Sequence, residues 1–187
     1  MPKRYDNPQD IIKLAAETKR LRLSARRSPF TGMMTMFCYV LWKDYKYNQT
    51  KLSEFCSLMA KYDSDYDSKP FDNLTKRLFD YADWTIKYKN FTINDFPRYK
   101  SKVAMQYIEE QVACNNEINE KSTRYVTYGF NVLIDCGFGK KKITNLKDKF
   151  QKRMEEATKE DRTVGVMDMW KELIDEVGIY IERPIID

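Results

Sequence analysis

Three consecutive lysines follow a Gly-Phe-Gly turn within residues 137–142 and could contact phosphate groups. When Gly129 is counted as the first position of a helix-turn-helix, Gly137 falls on the ninth, where that turn needs a glycine. Lysines at the start of the second helix would then contact phosphates, and the side chains of Thr144 and Asn145 have a length that reaches base edges. The residues that would project from this helix are Lys140, Lys141, Lys142, Thr144, Asn145 and Lys147.

An ordinary pair of helices joined by a glycine turn gives the same pattern, and lysines often cover an exposed helix start. Three positive side chains at that position oppose the helix dipole, at a cost of about 1 kcal/mol in total. The lysines are therefore better explained if an outside anion compensates them.

A second basic stretch lies near the N terminus. Residues 1–27 contain eight Lys/Arg and three Asp/Glu, whereas the remaining 160 residues contain 25 of each. Arginine at this density suits phosphate contacts or a bidentate grip on the carboxylates of a partner protein. The sequence does not separate these two uses, and a solvated basic helix is the simpler alternative. The candidate residues are Lys19, Arg20, Arg22, Arg26 and Arg27.

Residues typical of catalytic or metal sites are scarce. The chain has no histidine, the usual general base. The glycine–lysine run is not a P-loop, because Ile134 stands where that motif has a glycine. The four cysteines are too far apart in sequence for a zinc motif, and three of them lie in apolar stretches typical of reduced core residues. The sequence therefore predicts no catalytic residues, no cofactor and no metal site.

The basic residues must be positioned by helices. Gly and Pro number only six each and charged residues make up 33% of the chain, which favours a mostly α fold. Apolar spacing predicts one helix from Pro8 to the SPFTG stretch at residues 28–32, and another over residues 96–118. A short extended segment is predicted to follow each half. The other predicted helices cover residues 33–44, 49–62, 71–82, 123–136, 140–157 and 166–177, with Asn48 as the cap of the second of these and Gly178 as the stop of the last.

The order of these elements occurs twice. The pairs that align at a shift of 91 residues are Leu52 with Ile143, Phe55 with Leu146, and Tyr47 with Phe138. We therefore predict an internal duplication with a first repeat over residues 1–90 and a second repeat over residues 91–187. Chance likeness of two amphipathic stretches is the alternative. In the first repeat, Gln49 and Lys51 lie where the second repeat has its lysines, so they are also candidates for contact with nucleic acid or a partner.

An apolar helix, the turn CGFGKKKI at 136–143 and the later LIDEVGI at 173–179 form a pattern. This pattern resembles that of small uncharacterised proteins encoded by phages and mobile elements of Gram-positive bacteria. Their turn reads F-G-F-G-K-K-[RK]-[LI], and Cys136 here replaces its first aromatic residue. Their C-terminal pattern, L-x-x-E-x-G-I, is matched by Leu173, Glu176, Gly178 and Ile179. The resemblance implies an accessory protein that acts inside a bacterium, where such proteins commonly handle DNA or disable a host defence.

Together these features predict a non-enzymatic protein that binds nucleic acid or a nucleoprotein complex in the cytoplasm of a bacterial host. The alternative is an anti-defence inhibitor, for example an anti-CRISPR-like protein, that binds a bacterial defence complex by protein–protein contacts. The tyrosine-rich first half would carry that interface. The sequence has no apolar run of 18 residues, so we expect no membrane segment, and we expect no assembly beyond a homodimer.

Overall fold

A computed structural model describes residues 8–65, 71–87, 90–96, 102–158 and 165–184. Within these ranges the fold is all α, with six α-helices and no strand, which confirms the predicted class. None of these helices is both long and apolar enough to cross a bilayer. The helices are α1 Pro8–Tyr45, α2 Gln49–Ser64, α3 Phe71–Ala82, α4 Lys102–Asp135, α5 Lys140–Thr158 and α6 Val166–Glu172. The remaining elements are a 3-10 turn at Ile93–Asp95 and a π-helical turn, Leu173–Val177, that continues α6.

Helix α1 continues through the stretch where the sequence predicts its end. Pro29 lies inside the helix, so the prediction that residues 28–32 separate two helices is wrong. Proline has no N–H group, and this leaves the carbonyl of Ala25 without its usual helical donor. The ammonium group of Lys121, on α4, donates to that carbonyl over 3.4 Å. This contact satisfies a carbonyl whose residue is fully buried, and the helix tolerates the proline.

Helix α4 is also one helix where the sequence predicts two, over residues 96–118 and 123–136. It runs without a break from Lys102 to Asp135. Residues 119–122 contain neither glycine nor proline, so no local signal stops it. Residues 97–101, in the first turn of the helix predicted over residues 96–118, lie outside the described residues.

The helices that follow the two long ones agree closely with prediction. Helices α2, α3 and α5 begin and end within two residues of their predicted bounds. Asn48 caps α2 as predicted, because its Oδ1 accepts the N–H of Lys51 over 3.1 Å. The π-helical turn after α6 ends at Gly178, the predicted stop, with a φ of 72°. Residues 84–87 and 178–184, predicted as extended, are irregular and form no strand.

The helices form two compact units. Their described parts are a small unit of residues 8–29, 90–96 and 102–121, and a core unit of residues 30–65, 71–87, 122–158 and 165–184. The two units differ from the two predicted repeats, because each unit takes helices from both halves of the chain. The predicted repeat boundary at residue 90 stays a prediction.

The small unit holds the first parts of α1 and α4 side by side. The guanidinium group of Arg22 donates to both carboxylate oxygens of Glu110, over 2.9 and 2.6 Å. The segment before α4 is fixed by Asn116, whose side-chain amide bonds to both the N–H and the carbonyl of Phe91. These polar contacts join pieces of chain that are far apart in sequence.

In the core unit, α1 and α4 run parallel, because residues later in α1 contact residues later in α4. Phe30 packs edge-on against Tyr125 with ring centroids 5.1 Å apart, and further along Phe37 lies against Gly129. A Cβ at Gly129 would lie 2.3 Å from the ring of Phe37, so the glycine allows the two helices to approach. The ring of Phe37 also packs on the rings of Phe55, Phe130 and Phe150, at centroid distances of 5.6, 5.3 and 4.5 Å. The centre of the core is therefore aromatic and belongs to both predicted repeats.

Candidate nucleic-acid interface

Two short turns lead into α2 and α5, the helices that carry predicted binding residues. In the turn before α5, Gly137 adopts a left-handed φ of 85°. The N–H of Gly137 bonds to the carbonyl of Ile134, and the N–H of Phe138 bonds to the carbonyl of Leu133, both over 3.0 Å. This is a Schellman motif, which ends a helix on a residue with positive φ. The predicted use of Gly137 in the turn is confirmed.

In the turn before α2, Lys46 takes the place of the glycine, 91 residues earlier, with a φ of 58°. Its N–H bonds to the carbonyl of Trp42 over 3.1 Å, and the N–H of Tyr47 bonds to the carbonyl of Leu41, also over 3.1 Å. The ammonium group of Lys46 donates to the carbonyl of Lys43 over 3.1 Å. Each turn thus has two backbone hydrogen bonds to the end of the preceding helix, and in the first turn the side chain of Lys46 adds a third.

The two turns contact each other through aromatic rings. The ring of Phe138 lies 6.3 Å from that of Tyr47, its counterpart at the 91-residue shift, with the planes at 74°. It also lies 5.7 Å from the ring of Tyr45. Phe138 is buried and Tyr47 is half-buried. The starts of α2 and α5 are therefore neighbours.

Lysines from both helix starts lie over this pair of rings. The Nζ of Lys51 is 5.6 Å from the ring centroid of Tyr47, and the Nζ of Lys142 is 5.0 Å from that of Phe138. Lys51 and Lys142 are themselves counterparts at the 91-residue shift. We use the name paired-turn surface for these two rings together with the exposed lysines Lys51, Lys140, Lys141 and Lys142.

The paired-turn surface is electropositive for two reasons. One is the charge of its lysines. The other is the N-terminal ends of two helices, whose backbone N–H groups carry partial positive charge. No acidic residue occupies the first turn of α2 or of α5, both of which are described in full at that end. Residues 140–153 of α5 contain seven Lys/Arg and one Asp. Such a surface suits an anion of extended shape.

Contacts between the two predicted repeats are reciprocal. Asp44, at the end of α1, accepts a hydrogen bond from Lys149 on α5 over 3.1 Å. Its counterpart Asp135, at the end of α4, accepts a hydrogen bond from the hydroxyl of Tyr62 on α2 and lies 2.7 Å from Arg77 on α3. Burial and this carboxylate raise the pKa of Tyr62 to about 12. Each aspartate thus contacts helices of the other predicted repeat.

The predicted binding residues of α5 differ in their surroundings. Lys140, Thr144 and Asn145 are exposed, and the hydroxyl of Thr144 donates to the carbonyl of Lys140 over 3.1 Å. The side chain of Lys147 is only 20% exposed and lies 3.6 Å from the carboxylate of Asp148. Lys147 is therefore less accessible to a ligand than the three lysines at the helix start.

On α2, the side-chain amide of Gln49 donates to the carbonyl of Gly178 over 2.7 Å. This predicted binding residue thus links the start of α2 to the end of the last helix. Ile143 and Leu146, which the helix-turn-helix spacing counted from Gly129 places on the inward side of α5, are fully buried. The helix-turn-helix interpretation itself stays a prediction.

The basic residues of α1 belong to the small unit, whereas the paired-turn surface belongs to the core unit. Arg22 is already paired within the protein, because its guanidinium group binds the carboxylate of Glu110. This hydrogen-bonded pair lowers the pKa of Glu110 and raises that of Arg22. The bidentate grip that the sequence suggests for a partner's carboxylate is thus made inside the protein. The predicted residues on this exposed stretch are Lys19, Arg20, Arg22, Arg26 and Arg27.

Sequence reasoning missed the basic residues in the middle of α5. The Nζ of Lys149 lies 5.1 Å from the ring centroid of Tyr45, and the guanidinium carbon of Arg153 lies 5.7 Å from that of Tyr39. Both cations are held against α1, so they contribute charge near the surface without projecting from it. The signal that would have found them is the seven-to-one ratio of basic to acidic residues over 140–153.

Among the residues that the structure describes, no group of three or more Cys, Asp or Glu side chains is arranged to hold a metal ion. No protein-family model matches the chain, and no match is found among curated proteins or solved structures.

Proposed function

We propose that this protein is a non-enzymatic nucleic-acid-binding protein whose paired-turn surface contacts the phosphate backbone. One observation carries the proposal. Lys51 and Lys142, at equivalent positions of the two predicted repeats, lie over the contacting rings of Tyr47 and Phe138. Cations from both repeats therefore converge on one surface, where a single anion chain could bind both.

Electrostatics supports an anionic ligand at this place. The lysines oppose the positive ends of α2 and α5, and a bound phosphate would be stabilised by the ammonium groups and by both helix ends. Phosphate contacts of this kind give affinity without sequence preference. The exposed Asn145, one turn further along α5, is the candidate for contact with a base edge.

We also propose that the chain arose by internal duplication. The order of long helix, second helix and short helix occurs twice, and Lys46 and Gly137 turn the chain at the same relative position. The reciprocal contacts of Asp44 and Asp135 support two like units related by an approximate two-fold axis. A nucleic-acid duplex has two-fold axes of its own, so duplex DNA is the ligand whose symmetry fits.

The setting we propose rests on the turn motif at residues 136–143. Its resemblance to proteins of phages and mobile elements favours an accessory protein that acts on nucleic acid or a nucleoprotein complex inside a bacterial host.

The test is binding of a short duplex DNA to the full chain, measured by fluorescence anisotropy at about 50 and 200 mM salt. If the four lysines of the paired-turn surface each neutralise one phosphate, affinity falls by about 100-fold between these conditions. The separated strands of the same DNA should bind more weakly than the duplex. No binding of either form at the lower salt concentration would contradict the proposal.

The double variant Lys140→Glu with Lys142→Glu should abolish binding, because it reverses two charges at the surface. The control is Lys152→Glu, an exposed residue about 18 Å further along the α5 axis, which should bind nearly as the parent does. Circular dichroism should show the same helix content for all three proteins. Retained binding in the double variant would show that α5 does not take part in binding.

An anti-defence inhibitor that binds a bacterial protein complex is the second candidate, and one observation favours it. On the basic stretch of α1, Ile12 is 70% exposed and Leu23 is 43% exposed. Large apolar side chains among arginines are typical of protein interfaces. Such binding would respond weakly to salt and would be lost in Ile12→Asp, whereas the α5 lysine variants would leave it intact.

A further inference from the structure

Two cysteines from different helices lie in contact in the core unit. Cys38 is on α1 and Cys56 is on α2, and their Sγ atoms are 3.5 Å apart, the distance of a thiol–thiol hydrogen bond. All four cysteines of the chain are reduced in this structure. Neither Cys38 nor Cys56 belongs to the proposed binding surface, so the proposed function does not explain their close approach.

The surroundings give the two thiols different roles. Cys38 is fully buried, whereas Cys56 is half-buried and is the one that a small molecule can reach first. The hydrogen bond from Cys38 lowers the pKa of Cys56, and the same bond together with burial raises the pKa of Cys38. The thiolate, which is the reactive form, therefore develops on the more accessible sulfur.

We propose that Cys38 and Cys56 are a site of reversible covalent modification, at which small-molecule disulfides close an intramolecular disulfide bond between α1 and α2. The thiolate of Cys56 attacks one sulfur of the small disulfide, forms a mixed disulfide and releases one small thiolate. Cys38 then loses its proton and attacks the sulfur of Cys56, which expels the second small thiolate. Two protein thiols are oxidised, and one small disulfide is reduced to two thiols.

The required movement is small. A disulfide bond is about 2.05 Å long, so the sulfurs must approach by about 1.5 Å, which rotation of the two side chains and a slight shift of α2 can supply. Only residues 46–48 connect α1 to α2, so the two helices are already held together close to the pair. In a reducing compartment the bond stays open, and it closes during oxidative exposure.

The experiment uses the full chain with Cys114→Ser and Cys136→Ser, so that only the pair remains. The folded protein is incubated with oxidised glutathione and its intact mass is measured. We expect the loss of two hydrogens, a peptide map that joins Cys38 to Cys56, and a titratable thiol count that falls from two to none. Reductant should restore both thiols, and the circular dichroism spectrum should stay helical.

Two results would overturn the proposal. A stable gain of one glutathione on Cys56 would show that Cys38 does not reach it, and two unreacted thiols would show that the pair is closed to oxidants. The matched control adds Cys56→Ser to the same protein, which should give neither the mass loss nor the joined peptide. The wild-type chain should form the same joined peptide, which shows that the serine substitutions did not create it.

Discussion

The turn before α2 and the turn before α5 reverse the chain at positions 91 residues apart, but with different backbone hydrogen bonds. Both place a residue in the left-handed region, Lys46 with a φ of 58° and Gly137 with a φ of 85°. Glycine adopts this conformation at no steric cost, whereas lysine is strained in it. In the first turn the ammonium group of Lys46 bonds to the carbonyl of Lys43, a contact that glycine could not make.

This difference shows that the packing around a turn determines its backbone conformation more than the residue at the left-handed position does. The rings of Tyr47 and Phe138 contact each other and require both turns to bring them to the same place. A residue with unfavourable backbone preference is then retained, because the packing around the turn outweighs its strain. The predictions below test how far the two predicted repeats are equivalent.

The largest effect is expected where the first predicted repeat supplies a ring and the second a glycine. Gly129→Ala should lower the free energy of unfolding by about 3 kcal/mol, because its Cβ would lie 2.3 Å from the ring of Phe37, which three other rings hold in place. Gly32→Ala is the control, since a Cβ there meets nothing within 4 Å, and it should raise stability by up to about 1 kcal/mol. Urea denaturation followed by circular dichroism measures both, and equal effects would contradict the tight pairing of α1 and α4.

Substitution of the left-handed residue should change the free energy of unfolding in opposite directions in the two turns. Gly137→Ala should lower the free energy of unfolding by about 1–2 kcal/mol, because alanine is strained at positive φ although space is open around it. Lys46→Gly should raise it by about 0.5 kcal/mol, because relief of strain is partly offset by the more flexible unfolded chain and by the lost bond to Lys43. Thermal or urea unfolding would detect both changes, and destabilisation by Lys46→Gly would show that the side-chain bond matters more than the strain.

The helix caps include the smallest of the expected effects. Asn48→Ala should lower the free energy of unfolding by about 1 kcal/mol, because it removes the bond from Asn48 to the N–H of Lys51. Gly139, the counterpart of Asn48, has no side chain to cap α5, so Gly139→Asn should raise stability by about 0.3 kcal/mol. The same urea experiment with repeated measurements resolves these values. A larger gain at Gly139 would show that the start of α5 lacks more stabilisation than the residue preferences at helix caps indicate.

Local signals allowed a good part of the fold to be predicted. The bounds of α2, α3 and α5 follow from apolar spacing, and the cap at Asn48 and the stop at Gly137 are visible in the residue types. Pro29 misled the prediction because its missing donor is replaced by Lys121, 92 residues later in the chain. Lys46 could not be predicted as a left-handed residue, because nothing in a lysine indicates positive φ.

The candidate site was predicted only in part for a similar reason. The lysines after Gly139 were visible as a run, but their convergence with Lys51 depends on the contact between Tyr47 and Phe138. The basic stretch of α1 was counted along the chain, and that count does not show that Glu110 already binds Arg22. Charge in space differs from charge in sequence wherever two distant helices pack together.

The parallel packing of Phe37 against Gly129 has a consequence for synthesis of the protein. A ribosome adds about 5–20 residues per second, so Phe37 leaves it about 5–18 s before the glycine that receives its ring. During this interval the aromatic face of α1 has no α4 to pack against. Chaperones that bind such segments would have time to engage it, and a truncation that ends before α4 would be released with that face exposed and prone to aggregate.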